Sequence, residues 1–214
     1  LKVKYPQGGE KQLIKAICGR EVPSGKLPLD VNVVVQNVAT AYAVYEAVQK
    51  NKPLVERIVT VTGDGLSNPG NFKVRIGTPV SALIEAAGGM PGDTGKVING
   101  GPMMGKALAD INAPVTKGTS GVVLFHDKTS RRAEVTPCIR CTKCTYVCPM
   151  GLEPWMLAAS AERGMYDRVE KGKVTDCIEC GSCAYTCPAK RPLLDYIRLG
   201  KSTVMRMIRE RNTK

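Results

Sequence analysis

The sequence contains few aromatic side chains, with two Phe and one Trp, and His126 is its only histidine. Its core must therefore consist mainly of Val, Ile, Leu, Ala and Met. Proteins bind single-stranded nucleic acids largely by stacking bases on aromatic rings, and no known nucleic-acid-binding motif is present here. We therefore expect no nucleic-acid partner, although the formal net charge is +12.

Long apolar runs are also absent. No stretch approaches the length of a membrane span, and no signal peptide is recognisable. Any membrane contact is therefore expected to be peripheral. The chain begins with Leu1 instead of Met, so we expect it to be an excised piece of a longer protein.

Eight of the nine cysteines lie in two copies of one pattern, C-x2-C-x2-C-x3-C-P. The first motif consists of Cys138, Cys141, Cys144 and Cys148. The second motif begins 39 residues later and consists of Cys177, Cys180, Cys183 and Cys187. Ile139 is repeated as Ile178 and Tyr146 as Tyr185, so the similarity extends beyond the cysteines.

This spacing is typical of cubane iron–sulfur clusters. A tight loop can supply three thiolates to a 4Fe–4S cluster, and in two-cluster ferredoxins the fourth comes from the other motif. The sequence therefore predicts two clusters with crossed ligands. The first cysteine set is Cys138, Cys141, Cys144 and Cys187. The second cysteine set is Cys148, Cys177, Cys180 and Cys183.

Two other interpretations explain less of the pattern. A structural zinc site takes four ligands, which leaves the third cysteine of each motif and the final Cys-Pro without a role. A disulfide framework requires an oxidising compartment, of which the sequence gives no sign. The ninth cysteine, Cys18, follows the apolar side of a predicted helix, so we expect a buried thiol there.

The basic excess has two plausible physical roles. An oxidised cubane with its four thiolates carries roughly −2, so two clusters would offset part of the charge. The remainder suits an acidic partner protein or an anionic membrane surface.

Residues 1–126 predict a mixture of helices and short strands. Apolar spacing predicts a helix through Leu13 and Ile17, and Asn37 is a suitable N-cap for a helix ending near Lys50. Thr78 is expected to cap a third helix, with Pro79 at its first helical position. Strands are predicted at 31–35, 58–61, 72–76, 97–98 and 121–125. This α+β pattern favours a small module of the β-grasp type.

The cysteine-rich part predicts helices around the motifs. One helix is expected from about Leu152 to Ala159, and another after Pro192. The tail beyond Leu193 is basic and amphipathic, which suits either a membrane surface or packing against the cluster domain. We expect the packing role, and Gly200 argues against a single continuous helix.

Two further features have alternative interpretations. The glycine-rich loop Asn99–Gly105 could suggest phosphate binding, but it lacks the Gly-Lys-Ser/Thr ending of a P-loop. We expect a tight structural connection there. His126 lies at a strand end before a charged linker, and we expect a solvated surface residue without a functional role.

With these residues identified, the chain resembles the C subunit of the Rnf ion-translocating oxidoreductase complex, in its C-terminal part. The most specific segments are 5–14, 35–40, 100–105, 177–180 and 192–198. The family is similar to the NADH-binding flavoprotein subunit of respiratory complex I. Its middle module resembles the β-grasp domain called SLBB, and its cluster module resembles a helical ferredoxin.

The resemblance implies an α+β organisation with the following limits. Residues 1–70 would be the remnant of an FMN- and NADH-binding α/β domain, and 71–126 the SLBB-like β-grasp module. A linker would follow at 127–137, a helical two-cluster ferredoxin domain at 138–200, and a basic tail at 201–214.

The resemblance also implies candidate flavin-pocket residues. Matching the Tyr-x-x-Gly-Glu-Glu and Asn-Asn-x-x-Thr segments of the related complex I flavoprotein subunit leaves Gly8, Glu10, Asn37 and Thr40 as counterparts. Gly9 and Gln36 depart from the family pattern. The family's glycine-rich flavin and NADH loop is absent, so we expect FMN and NADH in the full-length protein but no tight FMN binding by this piece.

The function implied is that of an electron-transfer subunit, passing electrons between NAD(H) or flavin and other redox subunits. It would act within a ferredoxin:NAD oxidoreductase translocase, as a peripheral protein at the cytoplasmic face of the bacterial inner membrane. Other subunits of that complex, and a ferredoxin-like donor or acceptor, would be its partners. The alternative is a free-standing ferredoxin-like carrier whose β-grasp module binds a ligand. No side chain is expected to be catalytic, and this piece alone is expected to be inactive.

Overall fold

The computed structural model describes residues 1–213. The helices are α1 (Glu10–Cys18), α2 (Val38–Lys50), α3 (Val80–Ala86), α4 (Asp127–Ser130), α5 (Lys143–Tyr146), α6 (Pro154–Glu162), α7 (Tyr166–Lys171), α8 (Ser182–Tyr185) and α9 (Leu193–Asn212). The strands are β1 (Glu56–Gly63), β2 (Gly70–Arg75), β3 (Thr94–Asn99), β4 (Lys106–Ala107) and β5 (Gly121–His126). Short 3-10 helices cover Pro28–Val31 and Val174–Asp176.

The chain forms two units. Residues 1–35 belong to one unit together with the residues from 133 onward, and residues 36–132 form the other. We call these the cluster unit and the sheet unit. The mixed α+β fold class predicted from the sequence is confirmed.

The sheet unit is built on a five-stranded sheet of order β2-β1-β5-β3-β4. Strands β1 and β5 run parallel, and the other neighbours are antiparallel. β-branched residues such as Val59 and Val61 alternate with exposed ones along β1, which buries one face of the strand. Leu83 and Ile84 of α3 pack into the same aliphatic core.

The first strand of this sheet precedes the expected start of the β-grasp module at residue 71. Residues Glu56 to Val61 of β1 pair with Gly70 to Arg75 of β2, so both strands belong to one antiparallel pair. The sheet unit also contains α2, whose helix and Asn37 cap are confirmed: the Asn37 side chain accepts a hydrogen bond from the Ala39 amide at 2.9 Å.

Three local predictions were wrong. The predicted strand at 31–35 is absent: Asn32 adopts a left-handed conformation after a 3-10 helix, and no strand within residues 1–213 pairs with this segment. Helix α3 is capped by Pro79, not by Thr78. Cys18, which was expected to be a buried thiol, is exposed at the end of α1. The buried residue of this helix is Ile14.

The loop 99–105 connects β3 and β4 as a tight hairpin, in agreement with the structural interpretation. The Gly100 amide donates to the Gly121 carbonyl, and the Gly105 amide to the Gly101 carbonyl. A Cβ at Gly105 would lie 2.4 Å from the Ile98 side chain. The glycine is therefore required by close packing.

His126 is half-buried, not fully solvated, and its Nδ1 lies 2.7 Å from an Asp93 carboxylate oxygen.

The cluster unit packs α9 across α6 and α7. Ile197 and Val204 of α9 are buried together with Leu157 and Val169, so the apolar face of the basic tail completes this core as expected. Helix α9 is continuous through Gly200, contrary to the prediction of a break. The expected boundary between a ferredoxin domain and a tail at residue 200 thus falls within one helix.

Gly200 is explained by helix packing. A Cβ at this position would lie 3.0 Å from both Ala161 Cβ and Val169 Cγ1, so the missing side chain lets three helices approach closely.

We expect Gly200→Val to lower the free energy of unfolding of the cluster unit by about 1–3 kcal/mol, because overpacking strains a close-packed core. Ser202→Val is the matched control, since Ser202 is exposed on the same helix and should change stability by less than about 0.5 kcal/mol. Denaturant unfolding followed by circular dichroism measures both. Equal stability of the two variants would contradict this explanation of Gly200.

Candidate functional site

The two cysteine motifs form loops with the same backbone conformation. In the first motif, Arg140 and Thr142 have positive φ angles, and in the second the equivalent positions are Glu179 and Gly181, also with positive φ. A one-turn helix follows in each case, α5 and α8, again 39 residues apart. Left-handed residues fold each loop back on itself, so that its cysteines face a common centre.

The repeat continues beyond the fourth cysteine of each motif. Gly151 and Lys190 both have positive φ, and their amides donate to the carbonyls of Cys148 and Cys187 at 3.2 Å. Helices α6 and α9 then begin at Pro154 and Leu193, which are also 39 residues apart. From residue 138 onward, the cluster unit therefore contains an internal duplication of a loop, a short helix and a longer helix.

The structure groups the cysteines across the two motifs. One cavity, of about 820 Å³, is lined by all four members of the first cysteine set, three from the first motif and Cys187 from the second. A smaller cavity is lined by the second cysteine set, three from the second motif and Cys148 from the first. Each group of four is the one that crossed ligation of two cubanes requires.

Burial controls the chemistry of the thiols. Burial raises the pKa of Cys183 to about 12, and the charges of Cys177 and nearby cysteines reinforce the rise. Burial also raises the pKa values of Cys177 and Cys144. Thiolates at these positions thus need a compensating positive charge, which iron ions of a cluster would supply.

The donor set suits a cubane better than a single ion. Within residues 1–213, no three His, Cys, Asp or Glu side chains converge on a point that could hold one metal ion. A cubane makes a different demand, because its four thiolates bind at separate corners of an iron–sulfide core.

The two loops differ in exposure. Residues 138–143 of the first motif are all exposed, whereas residues 177–183 of the second motif are buried or half-buried. Ile139 is 68% exposed, while its counterpart Ile178 is half-buried. Two parts of the chain cover the second loop: residues 1–24 and helix α9.

Residues 1–24 form three side-chain hydrogen bonds to the surroundings of the second cysteine set. The Tyr5 hydroxyl donates to the Cys180 carbonyl at 2.5 Å. The Gln12 amide donates to Met150 Sδ at 2.7 Å, two residues after Cys148. The Ser24 hydroxyl donates to the Asp176 carboxylate at 2.5 Å, next to Cys177.

Helix α9 adds charged side chains to the second loop. The Lys201 ammonium donates to the Cys177 carbonyl at 2.6 Å and lies 3.2 Å from a Glu179 carboxylate oxygen. Arg198 Nε lies 3.0 Å from the same carboxylate. Lys201 is mostly buried, and it favours the thiolate form of Cys177, acting against the rise in that pKa caused by burial. It is therefore the cation placed to act on the second cysteine set.

The residues at the positions of Lys201 and Glu179 carry the opposite charges in the first half of the repeat. Lys201 corresponds to Glu162 in the first half, and Glu179 corresponds to Arg140. Glu162 is paired with Arg191 at 2.6 Å, and both line the cavity of the first cysteine set. Two loops of one backbone shape therefore present different electrostatic surroundings.

The four candidate flavin-pocket residues are not brought together within either unit. Gly8 and Glu10 lie at the start of α1 in the cluster unit, both exposed. Asn37 and Thr40 lie at the start of α2 in the sheet unit.

Sequence reasoning missed the roles of Tyr5, Gln12 and Lys201. Their contacts join residues far apart in the chain, and no local pattern marks them. The 39-residue repeat did carry one usable signal, since aligning its halves places Lys201 opposite a glutamate.

Three family models match successive parts of the chain. The Nuo51 FMN-binding domain covers residues 1–46, the SLBB domain covers 58–107, and a 4Fe-4S dicluster domain covers 131–188. The SLBB match includes most of β1, in agreement with its place in the sheet.

Similar proteins carry consistent names. The C subunit of the Na(+)-translocating ferredoxin:NAD(+) oxidoreductase complex of Acetobacterium woodii is 48% identical over 212 residues, which is 99% of this chain and 48% of the relative. The C subunit of the proton-translocating complex of Clostridium ljungdahlii is 46% identical over 203 residues, 94% of this chain and 44% of the relative. In Methanosarcina acetivorans, the C subunit of an ion-translocating oxidoreductase complex is 46% identical over 204 residues, 95% of this chain and 45% of the relative.

These matches confirm the resemblance inferred from the sequence. The chain spans about half the length of the curated relatives it matches. Over nearly its whole length it is similar to the C subunits of the ion-translocating oxidoreductase complexes, and it matches an FMN-binding segment, an SLBB domain and a 4Fe-4S dicluster domain in that order.

Proposed function

We propose that this chain carries electrons, one at a time, through two 4Fe–4S clusters between a flavin or NAD(H) site and other redox subunits. The observation that carries the proposal is the grouping of eight cysteines around two cavities, with three from one motif and one from the other in each. Cubanes held by thiolates are one-electron carriers, and their potentials are set by nearby charge, hydrogen bonds and solvent access.

The protein's own residues would act by holding and shielding the clusters. The left-handed loops present three cysteines each, and the fourth cysteine of each set ties one motif to the other. Residues 1–24 and α9 would shield the second set from solvent, and Cys180 and Cys183 of that set are buried. No proton transfer is needed in such a step, so no side chain is assigned a catalytic role.

The wider setting follows from the relatives. Their names describe ferredoxin:NAD(+) oxidoreductase complexes that translocate Na(+) or protons. By analogy, this chain would belong to a complex of several subunits at the cytoplasmic face of the bacterial inner membrane, attached peripherally. Within residues 1–213, no helix is both long enough and apolar enough to cross a bilayer.

The flavin assignment rests on residues 1–46, which match an FMN-binding domain. Gly8, Glu10, Asn37 and Thr40 would contribute to the FMN and NADH pocket in the full-length protein. A free-standing carrier has no use for such a segment, so the subunit role is the better proposal.

Metal and sulfide analysis tests the proposal directly. Protein purified without oxygen should contain about eight iron atoms and eight acid-labile sulfides per chain, as two cubanes require. Both clusters should be reducible in single-electron steps followed by EPR. Zinc bound without sulfide would refute the proposal.

The crossed ligation has its own test. We expect Cys148→Ser to damage the cluster of Cys177, Cys180 and Cys183, because Cys148 lines that cavity. Cys187→Ser should damage the other cluster. EPR of the reduced protein distinguishes the two cluster signals. Cys18→Ser, outside both motifs, is the control and should leave both signals unchanged. Loss of the first-motif signal in Cys148→Ser would contradict the crossing.

Lys201 should tune one of the two potentials. We expect Lys201→Met to lower the midpoint potential of the second-set cluster by on the order of tens of millivolts, because removing a nearby cation disfavours the added electron. Lys201→Arg should restore most of the potential. The first-set cluster serves as an internal control in the same EPR redox titration, and an equal shift in both clusters would contradict a local effect.

A further inference from the structure

The loops of the two cysteine sets have the same backbone conformation but differ in how exposed they are and in the charges around them. The second set is covered by residues 1–24, which match part of an FMN-binding domain. The first set opens to solvent at the loop 138–143. We propose that the first-set cluster exchanges electrons with a separate iron–sulfur protein at this exposed loop, and that the second-set cluster is the inner carrier on the flavin side. The inference rests on the proposed function and adds the position of each cluster in it.

Contacts of the amino-terminal segment support the inner position. Tyr5 bonds the Cys180 carbonyl directly. A Cβ on Gly9 would lie 3.4 Å from Ile178 Cδ1, so the segment also packs against the side chain between two ligands. A protein arriving from solvent would have to displace these contacts to approach the second set.

The exposed loop has the composition of a small transient interface. Val135, Ile139 and Trp155 line the cavity of the first set, and each keeps at least 39% of its surface accessible. Arg140 and Arg163 line the same cavity and are exposed. An apolar centre with a charged rim is the usual anatomy of protein contact surfaces, and electron-transfer encounters need only a small one.

The basic rim indicates the chemistry of the partner. Arg140 and Lys143 lie in the loop itself, and Arg163 lies beside it. Glu153 and Glu162 line the same cavity, but Glu162 is paired with an arginine at 2.6 Å, so cations outnumber the remaining carboxylate. Carboxylates on the approaching protein would meet these cations and speed its encounter. The partner is therefore an acidic iron–sulfur protein, and each exchange oxidises one cubane by one electron and reduces the other. No bond is broken and no proton moves.

Chemical labelling measures the difference in exposure. The protein carrying both clusters is treated with a mild soluble oxidant in the presence of iodoacetamide, and alkylated cysteines are located by mass spectrometry. Cys138, Cys141 and Cys187 should be alkylated before Cys177 and Cys180, because the more accessible cluster is lost first. Simultaneous or reversed labelling would overturn the order.

Electron exchange is measured with a reduced two-cluster bacterial ferredoxin as the acidic probe, by rapid mixing, freezing and EPR. Ile139→Asp should slow the first electron transfer by about tenfold or more, because a carboxylate in the apolar centre must be desolvated against an acidic partner. Val135→Asp, outside the cysteine loop, should act in the same direction and guards against local damage to the cluster. Leu199→Asp is the matched control, since Leu199 is an exposed aliphatic residue on α9.

The outcomes separate this inference from the function on which it rests. Slowing by Ile139→Asp and Val135→Asp but not by Leu199→Asp supports the order. Slowing by Leu199→Asp alone, or by none of the three, overturns the order while leaving a two-cluster carrier intact. Protein without iron and sulfide would overturn the proposed function itself.

Discussion

Four cysteines line each cavity, and each motif supplies only three of them to its own. This arrangement joins the two motifs of the cluster unit, because Cys187 returns to the first cavity and Cys148 to the second. The helices that follow these cysteines, α6 and α9, are consequently held side by side, with Leu157 and Ile197 in one core. Gly200 permits their close approach. Iron–sulfur chemistry and helix packing are thus two consequences of one arrangement of the chain.

A duplicated backbone does not give duplicated environments. Both loops use left-handed residues at equivalent positions, yet Glu179 and Lys201 stand where the other half has Arg140 and Glu162. Exposure is also unequal, because residues 1–24 cover the second of the two loops. Similar ligand geometry with different charge and solvent access is a physical means of giving two otherwise identical cofactors different properties.

The sequence predicted what depends on short-range pattern. Cysteine spacing indicated the two sets, apolar periodicity placed α1, α2, α6 and most strands, and Asn37 marked a helix start. The sequence-based predictions were wrong where contacts between residues far apart in the chain determine the local structure. Residues 31–35 have strand-forming side chains but no partner strand, and Gly200 breaks no helix because Ala161 and Val169 pack against it. Likewise, nothing near Tyr5 in the sequence indicates its bond to Cys180, which lies in a different region of the chain.

That bond also bears on the order in which the protein is made. Tyr5 and Cys180 are 175 residues apart, so synthesis at about 5–20 residues per second separates their appearance by roughly 10–35 s. Helix α1 has nine residues and is too short to be stable alone in water. The bond from Tyr5 can therefore form only after the loop that contains Cys180 has been synthesised. Iron and sulfide can reach the second cysteine set in the time between its synthesis and the closing of residues 1–24 over the loop.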